Sequence, residues 1–165
     1  MEIEIRRAMI SDVEGMSIVV DSAWCENYRD IFSAVQIAEY TGENRRRSFT
    51  NLLSDGKDVF VLVCGEKIRA VCAAQCSEDD EFKGYTEIML MYVHPKFQNM
   101  GFGSKLFLYV LLKMRDEGYT YAVLDTAEKN AGARRFYEKH GFIEQGRDIS
   151  RKFGDVTRVI YTKEL

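Results

Sequence analysis

The residues best suited to chemistry lie from Gln98 to Ser104, where Gln98-x-x-Gly101-x-Gly103 follows an apolar run and precedes a helical pattern. Gly101 and Gly103 lack Cβ atoms, so the backbone can curl with its N–H groups inward and approach a ligand closely. A helix opening at about Gly103 adds the positive end of its dipole, and such a cradle suits a phosphate or pyrophosphate. A pair of glycines at a helix start also serves, by itself, as an ordinary turn. No Gly-Lys-Ser/Thr follows the loop and its spacing is not G-x-G-x-x-G, which counts against nucleoside triphosphates and dinucleotides. Other reactive side chains form no pattern. His94 beside Pro95 reads as a turn residue and His140 as a charge at a helix end. Cys25, Cys64, Cys72 and Cys76 lack C-x-x-C spacing, and three of them fall in apolar strand patterns, so buried reduced thiols are expected, with no disulfide and no metal.

The elements around the loop give it a place. Residues 85–93 read as a strand that stops before Pro95. After the loop, Leu106, Phe107, Val110, Leu111 and Met114 recur at helical spacing, Gly118 closes that helix, and residues 121–125 read as a short buried strand. Strand, loop, helix and strand make a βαβ unit, with the loop at the carboxyl end of a parallel strand, where α/β sheets bind ligands. In residues 130–142, Ala133, Phe136, Tyr137 and His140 share one helical face and Gly141 is a C-terminal stop.

Upstream, Ile3 and Ile5 alternate with charged residues as in a strand, and Ser11-Asp12-Val13-Glu14 is a capping-box signature for a helix burying Val13, Met16, Ile18, Val19 and Val20. A second helical region, 34–53, is interrupted by Gly42 and reads equally as one helix or as two short ones, with Ile37, Tyr40, Phe49, Leu52 and Leu53 as its apolar positions. The connection holding Trp24, Tyr28, Ile31 and Phe32 either packs on the core or lines a pocket. Residues 59–64 and 68–75 flank Gly65-Glu66 as a hairpin, the acidic run 77–81 reads as a solvated turn, and Gly154-Asp155 separates strands 149–153 and 156–161 of a closing hairpin.

At 165 residues the chain fits one domain, 1–165, of mixed α/β class. A formal net charge of -3 argues against a general nucleic-acid binder, and Arg45, Arg46 and Arg47 read as a solvated helix face. The start MEIEIRR lacks the order of a signal peptide and no apolar run is long enough to span a bilayer, so a cytoplasmic protein without membrane contact is expected.

Two signals then coincide. Gln98-x-x-Gly101-x-Gly103 follows one strand, and Asn130, with Phe136-Tyr137 and Gly141-Phe142 at fixed distance, follows the next. Together they resemble the GNAT superfamily of acyl-CoA-dependent N-acyltransferases, strongly over about 85–142 and elsewhere by the order of elements. The resemblance implies a mixed, mostly antiparallel sheet of about seven strands, splayed in the middle and flanked by about four helices. It implies acetyl-CoA as co-substrate, its pyrophosphate held mainly by the backbone of Gln98, Asn99, Met100, Gly101, Phe102, Gly103 and Ser104. Main-chain groups of Met91, Tyr92 and Val93 would pair with the pantetheine arm like an extra strand, and Asn130 would contact that arm.

Acyl transfer to an amine needs a base for the ammonium proton and an acid for the leaving thiolate. Tyr137 matches the family's tyrosine near the coenzyme A sulfur. Glu87 has the spacing of the catalytic glutamate in the superfamily's histone acetyltransferases, and is the preferred base. Asp125 lies where ribosomal-protein alanine acetyltransferases place a glutamate, and a water chain could replace either carboxylate. A main-chain N–H near Val93 would polarise the thioester oxygen. The implied activity is transfer of an acetyl group, within a ternary complex, to a primary amine of a small molecule or peptide. The other readings are an acyl-CoA-binding module without turnover and an α/β domain whose phosphate-binding loop takes another nucleotide. A homodimer through the C-terminal hairpin or edge strands is a further expectation.

Overall fold

The computed structural model describes residues 2–150 and 156–165. Seven strands form one sheet in the order β1-β2-β3-β4-β5-β7-β6. Strand β1 (Ile3–Arg7) pairs antiparallel with β2 (Asp58–Cys64), β2 with β3 (Lys67–Cys76), and β3 with β4 (Thr86–Val93). On the far side β5 (Tyr121–Ala127) pairs antiparallel with β7 (Val156–Glu164), and β7 with the edge strand β6 (Ile143–Ser150).

The two halves meet at a short parallel seam. β4 and β5 pair only at Thr86 with Ala122 and Glu87 with Val123. Beyond those residues the strands diverge, whereas β3 stays paired with β4 as far as Val93. The cleft so opened lies at the carboxyl ends of the two parallel strands, the position that the βαβ reading assigns to a ligand.

Helices cover both faces. α4 (Phe102–Asp116) lays Leu106, Phe107, Val110, Leu111 and Met114 on one face, against Phe60, Leu62, Cys72 and Leu124 of the strands. α5 (Ala131–Lys139) adds Phe136 and Tyr137 to the same cluster. On the other face α1 (Val13–Asn27) buries Met16, Val19, Val20 and Trp24 over Val59, Val61, Val71 and Ala73, with Phe49 from α3 (Glu43–Ser54). The short α2 (Ala34–Glu39) completes five helices where about four were expected, because Gly42, at φ 63°, breaks the second helical region in two.

Several details differ from the expectations. Ile18 points to solvent, 52% exposed, because the helical period that buries Met16, Val19 and Val20 turns it outward. Asp12 rather than Ser11 anchors the entry to α1. Its carboxylate accepts from the Met9 N–H at 2.7 Å and takes both Nη groups of Arg6, at 2.7 and 3.0 Å. Helix α1 also runs on through Trp24, so the aromatic connection begins inside it. β6 starts at Ile143 rather than 149, with an irregularity between Glu144 and Gly146. The Gly154-Asp155 turn lies outside the described residues. Cys64 and Cys72 are buried, whereas Cys76, at the end of β3, is exposed. No helix among the described residues is long and apolar enough to cross a membrane.

Candidate active site

The divergence of β4 from β5 opens a cavity of about 700 Å³. Residues 88–93 of β4 form one wall and 125–127 of β5 the other. Gln98, Asn99 and Gly103 close one side, α5 contributes Phe136 and Tyr137, and Trp24, Tyr28 and Phe32 come from α1 and the segment after it. The two readings of that aromatic segment therefore both hold: Trp24 and Phe32 are core residues and also face the cavity.

The glycine loop uses its two glycines for different reasons. Asn99 at φ 61° and Gly101 at φ 82° are left-handed residues that turn the chain into α4, with Gly101 as its N-cap. A Cβ on Gly101 would meet nothing within 4 Å, so its need is conformational. Gly103 is needed for space, because a Cβ there would lie 3.1 Å from Val93 Cγ2 and 3.4 Å from Phe136. Gln98 ties the loop back to β4, its Nε2 donating to the Val93 carbonyl at 3.2 Å. Met100 is exposed, while Phe102 is buried and stacked on Phe97, so neither side chain lines the cavity. Ser104 does not line it either.

Asn130 and Tyr137 sit at opposite ends of α5. The Asn130 Oδ1 caps the helix by accepting from the Ala133 N–H at 3.1 Å, and its Nδ2 donates to the Tyr28 hydroxyl at 3.2 Å. Tyr137 is buried among Phe107, Phe142 and Tyr161. Burial pushes its phenol well above the ordinary tyrosine range, with smaller contributions from Tyr92, Cys72 and Asp125.

The two carboxylates are placed differently. Asp125 lines the cavity together with Tyr137 and pairs with Arg158 at 2.9 Å, which in turn reaches Asp148 at 3.2 Å. Glu87 lies outside the large cavity. It accepts from Gln75 Nε2 at 3.0 Å and lines a recess of about 40 Å³ that shares Asp125 and Arg158 with the larger space. His94 and His140 are occupied locally. His94 Nδ1 accepts from the Lys96 N–H, and His140 Nδ1 lies 2.7 Å from the Phe136 carbonyl. Lys129, Arg135 and Arg158 also line the cavity, outside any motif. Their only sequence trace is a basic residue near Asn130 or in the last strand, a trace too common to single them out.

A sheet opened at a parallel seam, a glycine loop at its mouth and a tyrosine-bearing helix behind it define an acyltransferase architecture. Residues 22–142 match the acetyltransferase (GNAT) family, and the chain belongs to it, an enzyme of acetyl transfer. Among solved structures, PaiA N-acetyltransferase from Thermoplasma acidophilum, in complex with coenzyme A, superposes with a TM-score of 0.81 at 21% identity, over 100% of both chains. YncA from Salmonella typhimurium, with its cofactor acetyl-CoA, gives 0.77 at 20%, over 100% of this chain and 95% of that one. Ribosomal-protein-alanine N-acetyltransferase from Brucella melitensis gives 0.76 at 20%, over 98% and 99%. A comparison with curated protein sequences finds no match.

Proposed function

We propose that the protein transfers the acetyl group of acetyl-CoA to a primary amine, by direct attack while both substrates are bound. The observation that carries this reading is the splay. Past Glu87 and Val123 the facing edges of β4 and β5 have no partner strand, and the cavity between them runs from the glycine loop to Tyr137. An extended, amide-bearing pantetheine arm suits such an edge, pairing with the main chain of Met91 to Val93 as a strand would. The curled backbone of Gln98 to Ser104, at the N-terminus of a fifteen-residue helix, suits the pyrophosphate.

The amine nitrogen attacks the thioester carbonyl, the carbon–sulfur bond breaks, and the sulfur leaves as a thiolate. Tyr137, kept neutral by burial, supplies the proton to sulfur and is reprotonated, through water, by the second proton that the nitrogen sheds as the amide forms. For the ammonium proton we favour Asp125, directly or through water, over Glu87, because Asp125 shares the cavity with Tyr137. The main-chain N–H near Val93 is suited to hold the developing oxyanion.

Calorimetric titration with acetyl-CoA and coenzyme A, followed by a thiol-release screen of amines, tests the reading. Binding together with release for some amine is the expected result. Binding without release for any amine would overturn the transfer reading, and absence of binding would overturn the cofactor assignment.

A further inference from the structure

Where the sheet fails to join β4 to β5, a side-chain bridge does so. Trp24, in the last turn of α1, and Tyr28, which caps the C-terminal end of that helix, stack with ring centroids 5.0 Å apart. Trp24 Nε1 donates to the Tyr92 hydroxyl on β4 at 3.0 Å, and the Asn130 amide, beyond β5, donates to the Tyr28 hydroxyl at 3.2 Å. The two tyrosine rings lie 6.4 Å apart with their hydroxyls as neighbours.

Counting hydrogens across this bridge gives a surplus. The indole N–H is a donor only. The Asn130 amide must present its N–H to Tyr28, because its oxygen is committed to the Ala133 N–H. Both fixed donors thus point at the tyrosine oxygens. If one hydroxyl donates to the other, one phenol hydrogen is left over; if neither does, two are. Among the described residues neither hydroxyl donates outside the pair. Both tyrosines line the cavity, so a phenol donor faces whatever occupies it.

The alternation of β4 says which part of the contents that is. Met91 and Val93 pack with the cluster of α4, on the side of the glycine loop, whereas Tyr92 packs with the cluster of α1 and α3. Tyr92 therefore faces away from the phosphate cradle, toward the wall of Trp24, Asn27, Tyr28 and Phe32. An alkylammonium offers a phenol no acceptor, and the lone pair of the free amine is spent in the attack. Arg45 does not line the cavity, but it is largely buried rather than part of a solvated helix face, and its guanidinium lies 5.5 Å from the centre of the Trp24 ring. Lys129, Arg135 and Arg158 outnumber Asp125 around the cavity, which disfavours a polycation.

Resting on the acetyl-transfer reading above, we infer that the acceptor carries a hydrogen-bond-accepting oxygen close to its amine, as an α-amino amide or a peptide N-terminus does, and that the Tyr28–Tyr92 hydroxyl pair recognises it. A site built to pair with a substrate oxygen discriminates strongly against the analogue that lacks it, since its own donor is then left unpaired.

The test compares matched amines at saturating acetyl-CoA by thiol release: phenylalanine amide with phenethylamine, leucine amide with 3-methylbutylamine, lysine amide with cadaverine, and spermidine alongside. Because an α-amino group loses its proton well below an alkylamine, rates are compared per unprotonated amine, and the expected result is then a kcat/KM preference for the amides of at least about tenfold. In Tyr92→Phe this preference shrinks several-fold. Equal rates within pairs, spermidine as the best acceptor, or no turnover of any amide overturns the inference. A Tyr92→Phe variant that slows both members of each pair by one factor assigns the hydroxyl to the thioester oxygen instead, and also overturns it. Should that variant not fold, the wild-type ratios decide. Calorimetry with acetyl-CoA separates the two readings: without binding both fall, whereas binding without an amide preference removes only this one.

Discussion

The phenol proposed to hand its proton to the leaving thiolate has to hold that proton while the reaction runs, and burial keeps the Tyr137 phenol neutral well past the ordinary tyrosine range. The sign follows directly. A raised pKa leaves the donor form populated at neutral and alkaline pH, so kcat should show no alkaline fall assignable to Tyr137 below about pH 10. Tyr137→Phe should lower kcat by about 100-fold with acetyl-CoA affinity largely retained, measured by initial rates and calorimetry. An alkaline limb near pH 8 that vanishes in the variant would contradict the assignment. Tyr137 and Asn130 were legible in the sequence because each belongs to a motif with fixed spacing. The bridge of Trp24, Tyr28, Tyr92 and Asn130 was not, since its bonds join residues 68 and 102 positions apart and leave no local pattern. Glu87 shows the opposite case: its spacing along the strand matched a catalytic position, but spacing carries no information on which recess the side chain enters.

Elements were read best where period and punctuation agreed. The glycine loop, α4 and β5 fall within a residue or two of expectation, because Pro95, Gly101 and Gly118 mark their ends. Gly103 has a further role at this scale. Since a Cβ would press on Val93 and Phe136, Gly103→Val should cost about 1–3 kcal/mol by overpacking as well as weakening acetyl-CoA binding; urea midpoints beside calorimetry would separate the two losses. At the entry to α1 the sequence pointed to Ser11, whereas Asp12 takes the role because Arg6, on the neighbouring strand, supplies a two-toothed partner that no local pattern reveals. The Arg6 hydrogen bonds hold Asp12 below the usual carboxylate range, with the Met9 N–H adding to the effect and burial opposing it. A lowered pKa stabilises the fold above the unfolded value of about 4, and that contribution is lost as pH falls through the folded value. Asp12→Asn should therefore cost about 1–2 kcal/mol at pH 7, and the gap to wild type should narrow at pH 3, as read from urea midpoints. The start of β6 at Ile143 leaves little trace in the sequence because Gly146 and the irregularity beside it interrupt the alternation that would mark a strand.

Over the whole molecule the sheet is two antiparallel blocks, β1 to β4 and β5-β7-β6, held at two residue pairs by backbone and elsewhere by α4, α5 and the α1 bridge. A ligand that fills the cleft ties the blocks together, so its binding energy adds directly to stability. At acetyl-CoA one hundred times its Kd the gain is about 2.7 kcal/mol, which for a chain of this length raises Tm by about 5–10 °C. Scanning calorimetry with and without acetyl-CoA checks this, and a shift of under a degree at saturation would contradict it. The divergence of the blocks has a consequence for handling the protein as well. Most sheets keep their unpaired edges on the outside, short or guarded by charge, but here two edges face each other inside one molecule. A stray extended segment from a neighbouring chain finds there a template on either side. On the proposed function acetyl-CoA occupies that template and should guard against self-association: concentrated stocks stored with it should remain monodisperse by light scattering where bare stocks slowly clump.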